Sequence, residues 1–180
     1  SKDIENLATN LGVSIPDHSP SELEWSAMNS QAMGVVSLSE RLLLNEQATK
    51  ELANSYVPSL SSLIGPLGAA RMVVLAGGRE RLARMPSGSL QVLGASGAMA
   101  AHRRGAPPPK HSPVLFSMPL VSRSPRWVRG KIARFLAGKC SIAVRIDHFG
   151  GQTWDEEQIK KIHREAESIR NRFPLPPKRG

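Results

Sequence analysis

The feature that most restricts how this chain can fold is the spacing of its apolar residues. They recur every three or four residues, which places them on one face of an α-helix. The pattern covers three stretches, and polar residues fill some positions of the first two. The first has Leu38, Leu42 and Leu52, with Asn45 and Thr49 between them; the second has Val128, Ile132, Phe135, Ile142 and Ile146, with Lys139 in the one gap; the third has Ile159, Ile162, Ala166, Ile169 and Phe173. No stretch alternates apolar and polar residues between hairpin turns, as a strand would. The sequence therefore predicts an all-α fold.

Helix-start signals point the same way. Capping boxes are predicted at Ser19–Glu22, Ser37–Glu40 and Thr153–Glu156, where a hydroxyl and a carboxylate three residues apart can satisfy free N–H groups reciprocally. Ser124-Pro125 predicts a fourth start, with a serine cap and proline in the first helical position. Because proline removes a backbone donor and fixes φ, residues 105–113 are predicted to form a loop and residues 174–180 an extended basic tail.

Charge is distributed unevenly along the chain. The 180 residues carry a net charge of +9, but residues 1–60 are net −5, with three basic and eight acidic residues. Residues 61–150 hold fourteen Lys and Arg against only Glu80 and Asp147, a net charge of +12. A block of one sign favours a polyanionic partner, whereas a generally basic surface would intersperse acids. A membrane surface fits less well, because no basic amphipathic helix has a bulky aromatic face.

The remaining composition predicts a soluble protein of the reducing cell interior. Cys140 is the single cysteine, and no signal-like segment or membrane-length apolar run is present.

Enzyme signals are weak. Gly94-Ala95-Ser96-Gly97 lacks the fifth-position glycine and the preceding strand of a nucleophile elbow, and Ser96 has no assignable base or acid partner. The five histidines never pair at a spacing of four residues. Cys140 lies in an apolar helix, where an inert thiol is expected. We therefore predict a non-enzymatic protein with no cofactor and no metal.

Basic residues gather around the proline loop and the start of the helix that follows it. The candidate RNA-binding residues are Arg103, Arg104, Lys110, His111, Arg126, Arg129, Lys131 and Arg134. Guanidinium groups, free N–H groups and the helix dipole can act together on a phosphate, although any single one of these side chains could simply solvate its helix. Trp127 alone offers a stacking face, so recognition of a folded RNA by shape and backbone is favoured.

Several ordered motifs resemble the Nop domain of box C/D ribonucleoprotein core proteins and of a related spliceosomal protein. They are Ile64–Arg71, Leu75–Gly78, Met85–Ser87, Gln91–Ala95, Pro108–His111, Arg129–Arg134, Lys139–Ala143 and Arg145–Asp147. The resemblance implies an all-α Nop-domain helical bundle at residues 52–173, a partial coiled-coil and tip region at residues 1–51, and a tail at residues 174–180. It also implies a turn at Gln31–Gly34 and a returning coiled-coil helix at Leu38–Tyr56.

The same resemblance implies partners. They are a box C/D guide RNA with a kink-turn and the ribosomal-protein-like kink-turn-binding protein on it, with Gln91, Gly94, Ala95 and Ser96 near that protein. Fibrillarin, the methyltransferase that the full protein scaffolds for RNA 2′-O-methylation, is implied only through an N-terminal domain that this sequence lacks. The chain is then either a fragment or a naturally short member, and no membrane partner is implied. The implied location is the cytoplasm in an archaeon, or the nucleus or nucleolus in a eukaryote.

One segment departs from the family pattern. The family commonly has Gly-Ala-Glu-Lys and a bulky basic run where this chain has Gly94–Ala101, which lacks any charge. We hypothesise that His102, Arg103 and Arg104 supply the positive charge one turn later. The alternative function is a protein-only scaffold whose basic face binds an acidic protein, and this complex would survive ribonuclease treatment.

Overall fold

The computed structural model describes residues 6, 9–12, 14 and 19–177. From residue 19 to residue 177 it contains ten helices and no strand, which confirms the all-α class. In chain order they are α1 (Glu22–Tyr56), α2 (Pro58–Ile64), α3 (Pro66–Ala76), α4 (Arg79–Arg84), α5 (Ser87–Gln91), α6 (Ser96–Arg103), α7 (Pro113–Phe116), α8 (Pro119–Ser122), α9 (Arg126–Phe149) and α10 (Glu156–Arg172). The chain divides into two compact units, Ser1–Leu44 and Asn45–Gly180. The family-based division at residues 51 and 173 stays a prediction.

Helix α1 begins with a capping box. The Ser21 N–H donates to Glu24 Oε2 over 2.7 Å, and the Glu24 N–H donates to Ser21 Oγ over 3.3 Å. The bond from the Ser21 backbone, helped by the Ser21 hydroxyl, holds the pKa of Glu24 below its ordinary value because it favours the carboxylate. The helix thus starts in the predicted region, but its box uses residues two positions after Ser19–Glu22.

Helix α1 continues through two places where the sequence predicted a break. The turn predicted at Gln31–Gly34 is wrong, and so is the capping box at Ser37–Glu40, where the Ser39 hydroxyl donates to the Val35 carbonyl inside the helix. A single glycine costs a helix only about 1 kcal/mol relative to alanine. Since no proline lies between residues 21 and 57, nothing there is strong enough to end the helix.

The core of the second unit forms around α9. Helices α2, α4, α5, α7, α8 and α10 all contact it. Val128 and Ile132 are buried as predicted, but Phe135 and Ile146 are half-buried and Ile142 is 48% exposed, so the predicted stripe is partly wrong. The other buried positions of α9 are Ala133, Leu136, Ala137, Cys140, Ser141, Ala143 and Val144. Because neighbours approach α9 from several directions, small residues are buried where helices come close, and burial does not follow side-chain size.

The last helix matches its prediction closely. Its apolar face is buried through four residues: Ile159, Ile162, Ala166 and Ile169. Phe173, the fifth residue of the predicted face, lies one residue beyond the helix and is exposed, so this part of the prediction is wrong. The capping box joins Asp155 and Gln158, with the Gln158 N–H donating to Asp155 Oδ1 over 2.7 Å, so the box predicted at Thr153–Glu156 lies two residues too early.

The proline loop is confirmed for residues 105–112. Pro113 is instead the first residue of α7, and the Ser112 hydroxyl caps that helix by accepting from the Leu115 N–H over 2.9 Å. The serine cap predicted for α9 is wrong. Pro125 stands in the cap position, and the Ser124 hydroxyl donates to the Leu120 carbonyl over 2.6 Å.

Helices α2 and α3 meet at Gly65, whose φ of +82° lies in the region that favours glycine.

Among the described residues, no single helix is long and apolar enough to cross a membrane. Helices α2 and α3 pass that test of length and composition only as a pair, bent by 118°.

Asp147 caps α2 from across the core. No side chain of its own segment caps α2, but the carboxylate of Asp147, 88 residues later, accepts from the Ser59 N–H over 2.9 Å and from the Leu60 N–H over 3.0 Å. These donors have no intrahelical partner at a helix start, and both residues are buried. Asp147 therefore joins the end of α9 to the beginning of α2.

We expect Asp147→Ala to lower the free energy of unfolding by about 1–3 kcal/mol, because it leaves two buried N–H groups without an acceptor. Urea denaturation of the variant and of Glu167→Ala, which removes an exposed carboxylate of α10, measures the difference. Equal denaturation midpoints for the two variants would contradict this role.

Cys140 is buried in α9, and burial raises the pKa of its thiol to about 12. Because the thiolate is the reactive form, we expect the folded protein at pH 8 to react with an aromatic disulfide reagent only as fast as it unfolds. Absorbance measured with and without guanidinium checks this, and rapid labelling of the native protein would contradict it.

Candidate nucleic-acid interface

A cleft of about 640 Å³ lies between α5, the proline loop and the first turns of α9. Its lining residues are Gly88, Gln91, Val92, Pro108, Pro109, Lys110, Trp127, Gly130, Lys131 and Arg134. Three of them are cationic and none is acidic. The cleft therefore brings together Lys110, Lys131 and Arg134, three of the candidate RNA-binding residues.

Polar contacts fix the walls of this cleft. Gln91 Nε2 donates to the Lys110 carbonyl over 2.7 Å and lies 3.4 Å from the Gly130 carbonyl. Arg134 Nε donates to Gln91 Oε1 over 3.4 Å. A Cβ atom on Gly130 would lie 3.2 Å from Lys110 Cβ, closer than ordinary packing, so glycine permits the loop to lie against α9.

The segment after α10 is attached at the rim of the cleft. The Trp127 indole N–H donates to the Phe173 carbonyl over 2.9 Å. Lys131 Nζ lies 4.2 Å from the centroid of the Phe173 ring, within cation–π range. The chain itself thus uses the indole N–H of Trp127, whereas the cation–π contact positions the Lys131 ammonium without using its N–H donors.

Arg129 points away from the cleft. Its guanidinium donates from Nε to the Ser124 carbonyl over 2.8 Å and from NH2 to the Ser122 carbonyl over 3.0 Å. It also lies 5.4 Å from the centroid of the Phe116 ring, on which His111 stacks at 4.8 Å. Arg129 and His111 therefore stabilise the connection between α7 and α9.

The other three candidate cations are exposed and do not line the cleft. Arg103 is the last residue of α6 and Arg104 follows it, where positive charge complements the helix dipole. His102 Nδ1 forms a hydrogen bond of 2.7 Å with the Ala106 carbonyl, which closes the turn after these arginines. Arg126 is the first residue of α9.

The four residues predicted to meet the protein partner lie in different surroundings. Gln91 faces the cleft, Ala95 is buried, and Ser96 is exposed at the start of α6. Gly94 has a φ of +80°, and a Cβ atom there would lie 2.8 Å from Leu75 Cδ1. The backbone conformation therefore favours glycine at this position, whereas the exposed Leu75 side chain could move away from a Cβ atom.

Gly94 also borders an apolar groove that the sequence did not single out. The groove has a volume of about 520 Å³ and is lined by Thr49, Leu67, Ala70, Arg71, Val74, Leu75, Gly94, Pro113 and Val114. Val74 is 78% exposed. The sequence run Met72–Leu75 could have indicated this exposed surface, because it has more apolar residues in succession than one buried helix face accommodates.

Within the described residues, no group of three or more His, Cys, Asp or Glu could hold a metal.

Comparison with known proteins adds family information. The Nop family, described as "snoRNA binding domain, fibrillarin", matches residues 5–168. An uncharacterized NOP5 family protein of Methanocaldococcus jannaschii is 45% identical over 128 residues, which cover 71% of this chain and 30% of that protein. Nucleolar protein 56 of Homo sapiens is 37% identical over 131 residues, which cover 72% of this chain and 22% of that protein.

A solved structure is similar as well. The crystal structure of a fibrillarin/Nop5p complex contains a chain that superposes with a TM-score of 0.61 at 28% identity, covering 94% of this chain and 60% of that one. This chain spans less than a third of the length of the curated relatives it matches.

Arg129 supports a prediction that separates a structural role from a binding role. Arg129→Met removes two charge-assisted hydrogen bonds to carbonyls, so we expect it to lower the free energy of unfolding by about 2 kcal/mol. Arg126→Met, at an exposed position of the same helix, is the matched control and should leave the urea midpoint unchanged. A stable Arg129→Met variant with weakened RNA binding would instead assign Arg129 to the RNA.

Proposed function

This chain belongs to the Nop domain family, and from that premise we propose that it binds a kink-turn RNA together with the protein already bound there. In this proposal it is a non-enzymatic subunit of a box C/D-type ribonucleoprotein. The larger protein scaffolds fibrillarin, through a domain outside this chain, for guided RNA 2′-O-methylation. This assigns the chain to the cytoplasm in an archaeon and to the nucleolus in a eukaryote.

The cleft between α5, the proline loop and α9 is the observation that carries the proposal. Lys110, Lys131 and Arg134 converge there without a lining carboxylate, in the stretch of the chain that has a net charge of +12. A groove lined by one sign of charge concentrates the opposite charge. The phosphates of a nucleic acid match this arrangement in charge, and the planar guanidinium of Arg134 suits a phosphate in particular.

The cleft is better suited to an RNA backbone than to unpaired bases. Aromatic residues make up 4% of the chain, and Trp127 uses its indole N–H on the Phe173 carbonyl. Readers of single strands depend on several exposed aromatic faces. Contacts to phosphates set affinity and register without reading sequence, which suits recognition of a bent RNA by its shape.

The position of residues 87–96 supports contact with two partners at once. Gly88, Gln91 and Val92 of this short segment line the cleft, and Gly94 lines the apolar groove. A phosphate surface and an apolar surface are thus adjacent. In our proposal the RNA takes the first, and Gly94 and Ser96 lie near the bound protein.

An electrophoretic mobility shift tests this function. We expect the chain to shift a kink-turn RNA strongly only when an archaeal kink-turn-binding protein is already bound. If four to six phosphates are contacted, the slope of log affinity against log salt should be about −3 to −5. Absence of a shift at micromolar protein, or a complex that survives ribonuclease, would favour a protein-only scaffold that binds an acidic partner.

Variants locate the RNA surface in the same assay. Arg134→Ala should weaken binding and make the salt slope shallower by about 0.7–0.9, the effect of one lost phosphate contact. Arg103→Ala combined with Arg104→Ala tests whether the cations after α6 replace the charge that residues 94–101 lack. Arg170→Ala, an exposed arginine outside the cleft, should bind like the wild type.

A further inference from the structure

We propose that Gln91 is a positioning residue that sets Lys110 and Arg134 in place before RNA arrives. The inference deepens the proposed function and rests on it. It concerns a side chain that belongs to α5, whereas the cations that it positions belong to the proline loop and to α9.

The amide of Gln91 joins three parts of the structure. Its NH₂ group faces two carbonyls, that of Lys110 at 2.7 Å and that of Gly130 at 3.4 Å, and its oxygen accepts from Arg134 Nε at 3.4 Å. Carbonyls only accept and a guanidinium only donates, so all three neighbours require the same orientation of the amide. The amide of glutamine meets this requirement, because its NH₂ group donates two hydrogen bonds and its oxygen accepts.

The hydrogen bond from Gln91 holds a part of the proline loop that has few other connections to the helices. Residues 107–111 make no backbone-to-backbone hydrogen bond within the described part of the chain, and Pro107, Pro108 and Pro109 have no N–H to offer. The bond from Gln91 to the Lys110 carbonyl is the one hydrogen bond there that connects the backbone of these five residues to the helices. Without it, the position of Lys110 depends on side-chain packing alone.

Gly130 brings the two carbonyls within reach of one amide. The side chain of Lys110 packs over Gly130, where a Cβ atom would lie 3.2 Å from Lys110 Cβ and 3.5 Å from Lys110 Cδ. This close approach places the loop backbone beside the second turn of α9. Gln91 then holds it there, so Lys110 reaches a phosphate without first having to be ordered. Rigidity of this kind raises affinity by reducing the entropy lost on binding.

A double-mutant cycle on the complex of kink-turn RNA and its binding protein tests the coupling. Gln91→Met keeps the side-chain length but removes the donors, and Lys110→Met keeps the aliphatic stem but removes the charge. We expect Gln91→Met to weaken binding about fivefold to tenfold, the factor for one or two hydrogen bonds. It should also make the salt slope shallower, and it should have a much smaller effect when Lys110 is already Met. Gln152→Met, at an exposed glutamine outside the cleft, should change nothing.

Trypsin provides a readout that is independent of RNA. Cleavage after Lys110 should become several times faster in Gln91→Met, whereas cleavage after Arg104 in the same chain should keep its rate. Unchanged cleavage after Lys110, or additive effects in the binding cycle, would overturn the positioning role. Failure of the wild-type chain to bind would overturn the proposed function itself, and the trypsin ratio would still decide whether Gln91 holds the loop.

Discussion

Burial of helix α9 is the constraint on which the second unit depends. Six other helices pack against this one segment, and none of them except α10 exceeds seven residues. Helices that short are marginal in water by themselves, so their stability comes from the surface that α9 offers. The small residues of α9 serve this purpose, since Ala133, Ala137 and Ala143 let neighbouring backbones approach closely.

This constraint also explains where positive charge can lie. A cation cannot be buried without a partner, so the basic residues of α9 occupy the edges that its neighbours leave open. Lys131 and Arg134 face the cleft, while Arg129 is tolerated closer to the core because two carbonyls and the Phe116 ring surround its guanidinium. The cleft is therefore a direct result of how α9 is packed, and its charge follows from the residues that packing excluded.

The two ends of α9 have different tasks. Its last turn supplies Asp147, which caps α2 and closes the core. Its first turns accept the proline loop at Gly130 and supply the cations of the cleft. Stability and the proposed RNA binding thus use opposite ends of one helix, which allows variants at one end to be designed without loss of the other function. The exposed apolar residues beside Gly94 form a second surface, which our proposal places near the bound protein.

Much of this could be predicted from the sequence, because local patterns have local causes. The helical spacing of apolar residues predicted the all-α class and the buried face of α10. The prolines predicted the loop at residues 105–112, and the ordered motifs identified the Nop family. Capping boxes were found in the right regions for α1 and α10 but misplaced by two residues. At α1 the pair Ser21 and Glu24 has the same spacing as the predicted pair, and at α10 the box is formed by a carboxylate and an amide, Asp155 and Gln158, instead of a hydroxyl and a carboxylate. The break predicted at Gln31–Gly34 was wrong because a single glycine does not outweigh the helix formers around it.

Only the tertiary structure decided which side chains meet. Asp147 and Ser59 are 88 residues apart, and Gln91 and Gly130 are 39 apart, so no local pattern connects them. Arg129 was predicted to bind phosphate because the prediction rested on the cluster of positive charge alone. In the fold its guanidinium donates to the Ser122 and Ser124 carbonyls. Through its net charge and the helical spacing of its apolar residues, the sequence by itself determined that this protein has a basic surface and a helical core. Which cations remain free for a ligand depends on long-range packing, because the same charge is equally able to bind a phosphate or a carbonyl of its own chain.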